Sequence, residues 1–320
     1  MHRTGVVADS RVKQHDPGPD HPEQPARYSA VLHQLEWSGL LQDLIRLPPR
    51  VATDDELALV HARDYIELVD REASSGHRSL STGDTQIGRN SPEIARLAAG
   101  MAVAAIDAVF GAEVLNAFVV TRPPGHHASC DVGMGFCLFN NVAIAARYAQ
   151  RTYGAERILI VDWDVHHGNG TQNIFYEDGS VLFFSTHQSP WYPGTGAASE
   201  RGEGAGDGAT INCPFPAGAG RQEILGAFRQ ILLPAAERLH PDLIILSAGF
   251  DSRVNDPLGH FRLTDRDFTE LTTMMVDVAD KCCDGRLVSV LEGGYNLEGL
   301  ARAAEAHVRG LIGDHDPGSK

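Results

Sequence analysis

Residues 157–172 of the chain read RILIVDWDVHHGNGTQ, and this stretch decides the predicted fold. A mostly apolar run, 157–161, leads directly into two aspartates and two histidines. Apolar runs of this kind are typical of strands buried in a parallel sheet, where ligands bind beyond the carboxyl ends of the strands. Asp162, Asp164 and His166 are spaced by two, so their side chains point the same way along an extended chain. The stretch therefore predicts a core strand that ends in half of a metal site.

Further apolar and β-branched runs are typical of strands and occur at 116–121, 180–185, 209–212, 242–247 and 286–291. Between several of them lie segments with the spacing of amphipathic helices: 93–110, 140–152, 221–239 and 264–283. Strands that alternate with helices predict an α/β fold, with a mainly parallel sheet flanked by helices on both faces. The glycine-rich segment 193–208 lies between two such runs, which favours an active-site loop over a domain linker. We therefore expect a single domain over 1–320, with a frayed tail at 313–320.

Polar clusters follow four of the predicted strands at the point where each strand ends. The clusters are RPPGHHA at 122–128, DWDVHHGNG at 162–170, AGFDSR at 248–253 and EGGYN at 292–296. Because the carboxyl ends of parallel strands meet at one edge of a sheet, we expect these clusters to lie close together. Ligand binding and catalysis in open parallel sheets belong at that edge, so the four clusters predict one site.

The composition limits the classes of partner. The chain has 320 residues, 42% of them hydrophobic, and a formal net charge of −15. A chain this acidic repels phosphate backbones, so we expect no nucleic acid partner, whereas cationic substrates are attracted. No apolar run reaches membrane-spanning length and the first residues lack a secretory signal, so we expect no membrane partner. The 5 cysteines contain no C-x-x-C pair, which predicts free thiols and a cytoplasmic location.

Asp164 and His166 need a third protein ligand to hold a metal ion. Asp251, in SAGFDSR, follows a predicted strand at the same edge and completes an Asp-His-Asp set. Three protein ligands with an open fourth position are typical of catalytic zinc. Two carboxylates cancel the charge of a divalent ion, so bound water is acidified less than at an all-histidine site and a general base is needed. The alternative interpretation is that Asp251 only caps a helix after a turn.

The adjacent histidines His126 and His127 are the predicted base and acid. They follow two prolines and a glycine, which stiffen and turn the loop at the edge that carries the metal ligands. Asp162 faces the right way to orient and charge one imidazole, and Asn169 can orient the other through a neutral hydrogen bond. That difference predicts that one imidazole is more basic than the other. The alternative is two ordinary surface histidines.

Tyr295, in EGGYN, offers a hydroxyl donor behind two glycines that allow close backbone approach. A phenol aimed at the carbonyl of an acyl group would stabilise the developing oxyanion. A tyrosine in a turn is more often only a packing residue, so this interpretation depends on the other polar groups at the same edge.

Six motifs, in order along the chain, resemble those of the zinc-dependent histone deacetylases. They are RPPGHHA (122–128), GFCLFNN (135–141), DWDVHHGNGTQ (162–172), SAGFDSR (247–253), DPLG (256–259) and LEGGYN (291–296). The likeness is stronger to the class II type and its bacterial relatives, the histone-deacetylase-like amidohydrolases and acetylpolyamine amidohydrolases. HPEQPARY (21–28) also resembles the first segment of that family, and the resemblance covers about residues 5–312. It implies the arginase–deacetylase fold, a single α/β domain around an eight-stranded, mainly parallel sheet.

The resemblance implies a role for each residue that matches a motif. The implied zinc ligands are Asp164, His166 and Asp251. The implied proton-transfer groups and their partners are His126, His127, Asp162 and Asn169. Tyr295 would polarise the acyl carbonyl. Some class II members have a histidine at this position and deacetylate poorly, so the tyrosine favours an active enzyme. A structural potassium ion is implied near Asp162, Asp164, His166, Ser185 and Thr186.

The resemblance also implies a narrow tunnel for the aliphatic chain of the substrate. Phe136 would form one wall. Tyr192 of the SPWYPGTG segment, where the family usually has phenylalanine, would form the opposite wall. Trp191, its neighbour, is the alternative residue for that second wall. Gly135 would offer its carbonyl to the substrate amide. Leu258, in DPLG, stands where the polyamine-selective type has glutamate, which weakens a polyamine interpretation without removing it.

The sequence thus predicts a zinc-dependent hydrolase that removes acyl groups, chiefly acetyl, from N-acylated amines, with acetyl-lysine side chains as the favoured substrate. One alternative is an acetylpolyamine deacetylase. Another is a catalytically idle scaffold that binds acyl-lysine, which would have lost a ligand or a base. An arginase-like ureohydrolase shares the fold but needs two bridged metal ions. The resemblance is also compatible with a homo-oligomer.

Overall fold

The computed structural model of the chain describes residues 2–314. Within them, eight strands form one sheet: β1 (Thr4–Ala8), β2 (Ile45–Leu47), β3 (Asn116–Val120), β4 (Ile158–Asp162), β5 (Val181–Gln188), β6 (Thr210–Phe215), β7 (Leu243–Ala248) and β8 (Leu287–Leu291). Their order across the sheet is β2-β1-β3-β8-β7-β4-β5-β6, and every neighbouring pair is parallel. The predicted α/β fold is confirmed, and the sheet is parallel throughout rather than mainly parallel.

Helices connect the strands. Their bounds are α1 (Ala26–Trp37), α2 (Asp54–Leu57), α3 (Arg63–Ser74), α4 (Ser91–Phe110), α5 (Asn141–Tyr153), α6 (Asn169–Phe175), α7 (Arg221–Ala227), α8 (Leu233–Leu239), α9 (Asp265–Cys282) and α10 (Leu297–Ile312). The predicted helical segments correspond to α4, α5, α9 and the α7–α8 pair, whose members are joined by a π-helical turn at Phe228–Leu232. Across residues 2–314, the helices are too short or too polar to span a lipid bilayer.

The central strands are apolar because both of their faces are covered. Every residue of β3, β4, β7 and β8 is buried, so these strands lack the alternation of apolar and polar residues that a half-exposed strand shows. The six predicted strands correspond to β3 through β8. The prediction omits β1 and β2, because β2 has 3 residues and β1 contains only two β-branched apolar residues.

The four strands that are followed by polar clusters, β3, β8, β7 and β4, are neighbours in the sheet. They run in the same direction, so their carboxyl ends lie at one edge. The register pairs Asp162 at the end of β4 with Ser247 on β7, and Ser247 with Val290 on β8. The sheet therefore brings the four clusters together, as the sequence predicts.

Segment 193–208 joins β5 to β6 within the same sheet, so it is not a linker between domains. Its first residues lie beside the site. His167, directly after the predicted ligand His166, has its Nδ1 atom 2.8 Å from Thr195 Oγ1, and His187 Nε2 donates to the carbonyl of Gly196 (2.9 Å). These contacts fix the segment against β5 and the loop after β4.

The predicted frayed tail at 313–320 falls mainly on residues 315–320, which lie outside the described residues. Gly313 ends α10 in a left-handed conformation, with φ of 74°. Asp314 accepts a hydrogen bond from Nη1 of Arg309 (2.7 Å), so the first two residues of this segment pack against the helix.

Candidate active site

A pocket of about 270 Å³ opens where the loops after β3, β4, β7 and β8 meet. It is lined by Asp84, His127, Gly135, Phe136, His166, Trp191, Tyr192, Leu258 and Tyr295. All four residues that the sequence suggests for substrate contact are among them. Four aromatic side chains form much of the wall, which suits an apolar chain with a reactive group at its inner end.

The three predicted metal ligands lie together at this pocket. The imidazole Nδ1 of His166 lies 3.0 Å from Asp164 Oδ1 and 3.2 Å from Asp251 Oδ2. One ligand atom from each of the three residues lies within 4.8 Å of the other two. Both carboxylates are completely buried, and His166 is 8% exposed, on the pocket side. This spacing suits three protein ligands around one ion with a position left open toward the pocket.

The chemistry of the cluster also fits a divalent cation. Asp251 Oδ2 is buried, and within residues 2–314 its close polar neighbour is the Nδ1 atom of His166, 3.2 Å away, which is not aligned for a hydrogen bond. Burial, followed by repulsion from Asp164, raises the pKa of Asp251 to about 7. Burial alone would lower the pKa of His166, but its contacts with the two carboxylates raise it to about 10. A cation held by all three residues would neutralise this buried negative charge.

Backbone amides hold the two carboxylates in place. Val165 N–H donates to Asp251 Oδ1 (2.9 Å), and Gly293 N–H donates to Asp164 Oδ2 (2.9 Å). A side chain at Gly293 has no room, because its Cβ would lie 2.0 Å from Asp251 Oδ2. The glycine that follows Glu292 therefore allows the end of β8 to approach the cluster closely.

The tandem histidines lie beside the cluster, with ring centroids 4.0 Å apart. His126 Nδ1–H donates to Asp162 Oδ2 (2.9 Å), and His127 Nδ1–H donates to Asn169 Oδ1 (2.7 Å). His126 Nε2 lies 3.9 Å from Asp164 Oδ2. Because each partner engages Nδ1, the Nε2 atom of each ring is the one free to exchange a proton.

The two imidazoles differ in basicity. Burial disfavours the charged form of His126, but the charges of Asp162 and Asp164 outweigh it and raise the pKa well above its usual value. At His127 burial dominates, and the nearby imidazoles of His126 and His166 add to it, so the pKa falls well below its usual value. The neutral Asn169 opposes this shift only weakly, which explains why one ring holds a proton more readily than the other.

Tyr295 lies in a turn that several contacts hold. The guanidinium of Arg27 lies 5.0 Å from the centre of its ring. The same guanidinium donates to the carbonyl oxygens of Glu292 (2.5 Å) and Gly294 (2.7 Å). Asp256 Oδ2 accepts the backbone N–H of Tyr295 (2.7 Å). The phenol is thereby placed on the pocket wall by residues from the N-terminal segment and from the DPLG loop.

Gly135 and Phe136 form a strained turn next to the histidines. Their φ angles are 56° and 69°, a region that residues other than glycine rarely adopt. A Cβ on Gly135 would lie 2.2 Å from Cδ2 of His127. The turn places the ring of Phe136 5.8 Å from that of Tyr295 and 4.6 Å from that of His21. Glycine is therefore required at position 135, and Phe136 becomes a wall of the pocket.

Two neighbouring aromatic residues reach across the mouth of the pocket in opposite directions. Tyr192 O–H donates to Asp84 Oδ2 (3.1 Å), whereas Trp191 Nε1–H donates to the carbonyl of Leu258 (2.9 Å). Asp84 Oδ1 also accepts the backbone N–H of Gly135 (2.8 Å). Both Trp191 and Tyr192 line the pocket, so the second wall is shared between the two residues that the sequence left open.

Sequence reasoning missed four residues that shape the site. Glu292 and Asp256 stand inside the motifs LEGGYN and DPLG, and Arg27 stands in HPEQPARY, so each of these positions carried a signal. Asp84, in STGDTQ, had none, because a lone aspartate among small polar residues is typical of any surface loop.

Comparison with known proteins identifies a family. Residues 21–311 match the family described as the histone deacetylase domain. A probable deacetylase of Archaeoglobus fulgidus is 42% identical over 298 residues, which is 92% of this chain and 82% of that protein. The histone deacetylase-like amidohydrolase of Pseudomonas aeruginosa is 42% identical over 277 residues, which is 86% of this chain and 73% of that protein.

Longer relatives and a solved structure agree with this result. Histone deacetylase 6 of Caenorhabditis elegans is 41% identical over 303 residues, 90% of this chain, although this chain spans only 31% of that protein. The crystal structure of the HDA15 HD domain matches with a TM-score of 0.93 at 39% identity, covering 98% of this chain and 90% of that one. The family resemblance read from the motifs is confirmed, and the chain belongs to the histone deacetylase domain family.

Proposed function

We propose that the chain is a zinc-dependent hydrolase that removes acyl groups, chiefly acetyl, from N-acylated amines, with acetyl-lysine side chains as the favoured substrate. The observation that carries this proposal is the meeting of three kinds of group at one aromatic pocket. They are the ligand set Asp164, His166 and Asp251, the tandem pair His126 and His127, and the phenol of Tyr295. Membership of the deacetylase family supports the reaction class.

Asp164, His166 and Asp251 are the residues that would hold the zinc ion. When bound, zinc would supply a Lewis acid that polarises the acyl carbonyl and lowers the pKa of water. Two carboxylate ligands weaken that effect, so a side chain of the protein is needed to take the proton from the attacking water.

His127 is the residue suited to accept that proton. Its lowered pKa leaves it neutral near pH 7, and Asn169 engages its Nδ1–H, so Nε2 carries the free lone pair. His126 is suited to hold a proton, because the charge of Asp162 stabilises its imidazolium form. The leaving amine would take its proton from this pair, which returns the site to its starting state.

Tyr295 is suited to stabilise the oxyanion that forms when water attacks the acyl group. Burial raises its pKa well above the usual value, so the phenol keeps its proton and can donate it as a hydrogen bond. Phe136 and Tyr192 would enclose the aliphatic chain of the substrate between aromatic surfaces and limit the access of bulk water.

A direct test is the hydrolysis of an acetyl-lysine amide reporter by the zinc-loaded protein and by the variants D164A and Y295F. We expect D164A to lose zinc and activity together. Y295F should keep zinc but lose about 10²–10³-fold in kcat, as removal of one oxyanion donor typically does. D54A and Y148F are matched controls, because neither residue lines the pocket. Full activity in both D164A and Y295F would refute the assignment.

A second candidate, an acetylpolyamine deacetylase, is favoured by one observation. The exposed carboxylate of Asp84 lies on the lining of the pocket, where it would attract the ammonium group of a short acylated polyamine. The apolar Leu258 favours the peptide substrate instead. The ratio of kcat/KM for acetylputrescine and for an acetyl-lysine peptide separates the two, and a loss confined to acetylputrescine in D84N would support the polyamine substrate.

An idle scaffold and a ureohydrolase have less support than either deacetylase. The scaffold would lack a ligand or a base, whereas the chain carries Asp164, His166, Asp251, His126 and His127. A ureohydrolase needs two bridged metal ions, whereas residues 2–314 contain one group of three side chains that is spaced to hold a metal ion. Metal content near two ions per chain would favour that reaction. The potassium ion near Asp162, Asp164, His166, Ser185 and Thr186 and the cytoplasmic location stay predictions.

A further inference from the structure

Glu292 is a buried carboxylate that the proposed mechanism does not use. It directly follows β8, and its side chain has no exposed surface. Oε2 accepts the backbone N–H groups of Gly125 (2.6 Å) and His126 (3.2 Å). Oε1 accepts the hydroxyl of Ser247 on β7 (3.2 Å). The side chain thus connects the end of β8 to both neighbouring strands, β3 through its loop and β7 directly.

A carboxylate at this position is costly to keep. Within the described chain no lysine or arginine pairs with its oxygens, since Arg27 donates to the carbonyl of Glu292 and not to the carboxylate. Burial, and the nearby charges of Asp162 and Asp164, raise the pKa of Glu292 to about 7. An apolar side chain would fill the space without this penalty. The benefit of a glutamate at this position therefore lies in the hydrogen bonds that its carboxylate accepts.

The two amides belong to the loop that carries the tandem histidines. Glu292 binds the N–H of His126, and Thr171 N–H donates to the C=O of His126 (3.1 Å). Asp162 holds the imidazole of the same residue. With both backbone groups anchored, the direction of Cβ is set, and so is the place where Nε2 reaches the site. Without Glu292, two buried amides would lose the acceptor that they have in the described structure.

We propose that Glu292 is a positioning residue: by accepting the Gly125 and His126 amides, it holds His126 where its imidazole can act. Glu292 is not among the residues that line the pocket, so its effect passes through His126. The inference rests on the proposed function, because that function gives His126 its part in proton transfer. The role requires an acceptor oxygen at the right reach, and it does not require a charge.

Three substitutions separate position from charge. E292Q keeps an oxygen for the two amides and can donate its NH₂ group to Ser247, but it removes the charge. E292D keeps the charge and withdraws the oxygens by one carbon–carbon bond. E292A removes both. Glu56 provides a matched control in E56A, because it is also a buried glutamate that accepts a backbone N–H, that of Thr53 (2.8 Å), and it does not line the pocket.

The first measurement is steady-state hydrolysis of the acetyl-lysine reporter by zinc-loaded protein. We expect E292A and E292D to lose about 10–100-fold in kcat, since a displacement of about 1 Å at a reacting group can cost this much. KM and zinc content should stay close to their wild-type values in both variants. E292Q should keep most of the wild-type kcat. E56A should lower the melting temperature without lowering kcat.

The second measurement does not depend on turnover. The hydrogen bond from His126 to Asp162 should give a far-downfield proton resonance in ¹H NMR, identified by its loss in D162N. We expect the resonance to move or broaden in E292A and E292D and to persist in E292Q. A merely structural role would lower the melting temperature of the variants without moving this resonance.

The inference is overturned if folded E292A keeps the kcat of the wild type. It is also overturned if kcat falls as far in E292Q as in E292A, because the effect would then come from the charge of Glu292. If E292A does not fold, an unchanged kcat in E292D overturns it equally. If the wild-type protein hydrolyses no acylated amine, the proposed function fails, and the resonance in the Glu292 variants alone decides whether Glu292 positions His126.

Discussion

The phenol of Tyr192 donates a hydrogen bond to the carboxylate of Asp84, and the same carboxylate accepts the backbone N–H of Gly135. These contacts join three distant segments of the chain around one pocket mouth. The ring of Tyr192 also packs 5.2 Å from that of His127, so the hydrogen bond restrains a wall of the pocket. A phenylalanine at this position would form the wall without the link to Asp84.

Replacing Tyr192 with phenylalanine tests this link. Y192F should keep the wall and lower the free energy of unfolding by about 1 kcal/mol, the usual net value of one hydrogen bond. Y192A also removes the ring and should raise KM about tenfold or more, because lost aromatic contact is worth roughly 1.4 kcal/mol. Steady-state kinetics and urea denaturation measure the two effects. A KM as high in Y192F as in Y192A would show that the hydroxyl, and not the ring, forms the functional contact.

Zinc should stabilise the protein more at pH 8 than at pH 5. In the metal-free chain the pKa of Asp251 is raised from 3.8 to about 7, so its contribution to stability is complete at low pH and is lost as the pH rises through 7. Zinc binds the deprotonated carboxylate and competes with fewer protons at higher pH. The rise in melting temperature on adding zinc, measured at both pH values, checks this expectation. Equal rises would contradict it.

The variant D251N provides the control for that experiment. It removes the titrating carboxylate and one metal ligand, so zinc affinity should fall by more than the roughly 10–100-fold typical of residues that only support ligands. The metal-free variant should also be more stable than the metal-free wild type at pH 8, because the raised pKa of Asp251 means that its ionised form is disfavoured in the folded chain. A metal-free D251N that is less stable at pH 8 would show that the carboxylate is compensated in some other way.

Replacing Asn169 with aspartate should shift the pH dependence of activity. Asn169 accepts the Nδ1–H of His127 through a neutral oxygen, and a carboxylate there would stabilise the imidazolium and raise its lowered pKa. A base acts in its neutral form, so the acid limb of the kcat/KM profile should move to higher pH by about one unit or more. N90D changes an exposed asparagine and is the control. An unmoved acid limb in N169D would exclude His127 as the base.

Buried neutral histidines away from the site should make the protein acid-sensitive. Burial lowers the pKa of His61 to about 4 and that of His307 to about 3, both from 6.5. Their contribution to stability is therefore complete above pH 6.5 and is lost as the pH falls toward 3. H307Q should reduce the slope of unfolding free energy against pH by up to about 1.4 kcal/mol per unit. Denaturant unfolding between pH 7 and 4 measures this slope. The variant H33Q, which replaces an exposed histidine, is the control. An identical slope in H307Q and in the wild type would contradict the prediction.

The sequence predicts the central sheet and the edge that carries the site because the information is local. Ile158–Asp162 is buried on both faces, so its apolar run is continuous and identifies a core strand. Asp162 ends the strand, and Asp164 and His166 follow it directly, although the chain bends at 164–166 and the alternation of an extended strand reaches only as far as Asp162. A short strand such as Ile45–Leu47 has neither feature, and only its pairing with Thr4–Ala8 makes it part of the sheet.

The parts that could not be predicted are those set by tertiary contacts. Asp84 reaches the pocket because its loop is bound to Gly135 and to Tyr192, which is not encoded in any local pattern. Arg27 donates to the carbonyl oxygens of Glu292 and Gly294. Every residue has a backbone carbonyl, so the sequence does not indicate which carbonyl groups accept these hydrogen bonds. Motif positions indicated that such residues matter, but only the packed chain shows what they contact.

The place of β8 in the sheet has a consequence for biosynthesis. This strand is the last of the eight to leave the ribosome, yet it lies between β3 and β7, which are made earlier. Until it inserts, the nascent polypeptide can form only two separate half-sheets, with His126 attached to one and Asp164 and Asp251 attached to the other. If the proposed function is right, activity has to wait until Leu287–Leu291 has emerged, and a fragment that ends ahead of this strand should be inert although it contains Asp164, His166, Asp251 and both tandem histidines.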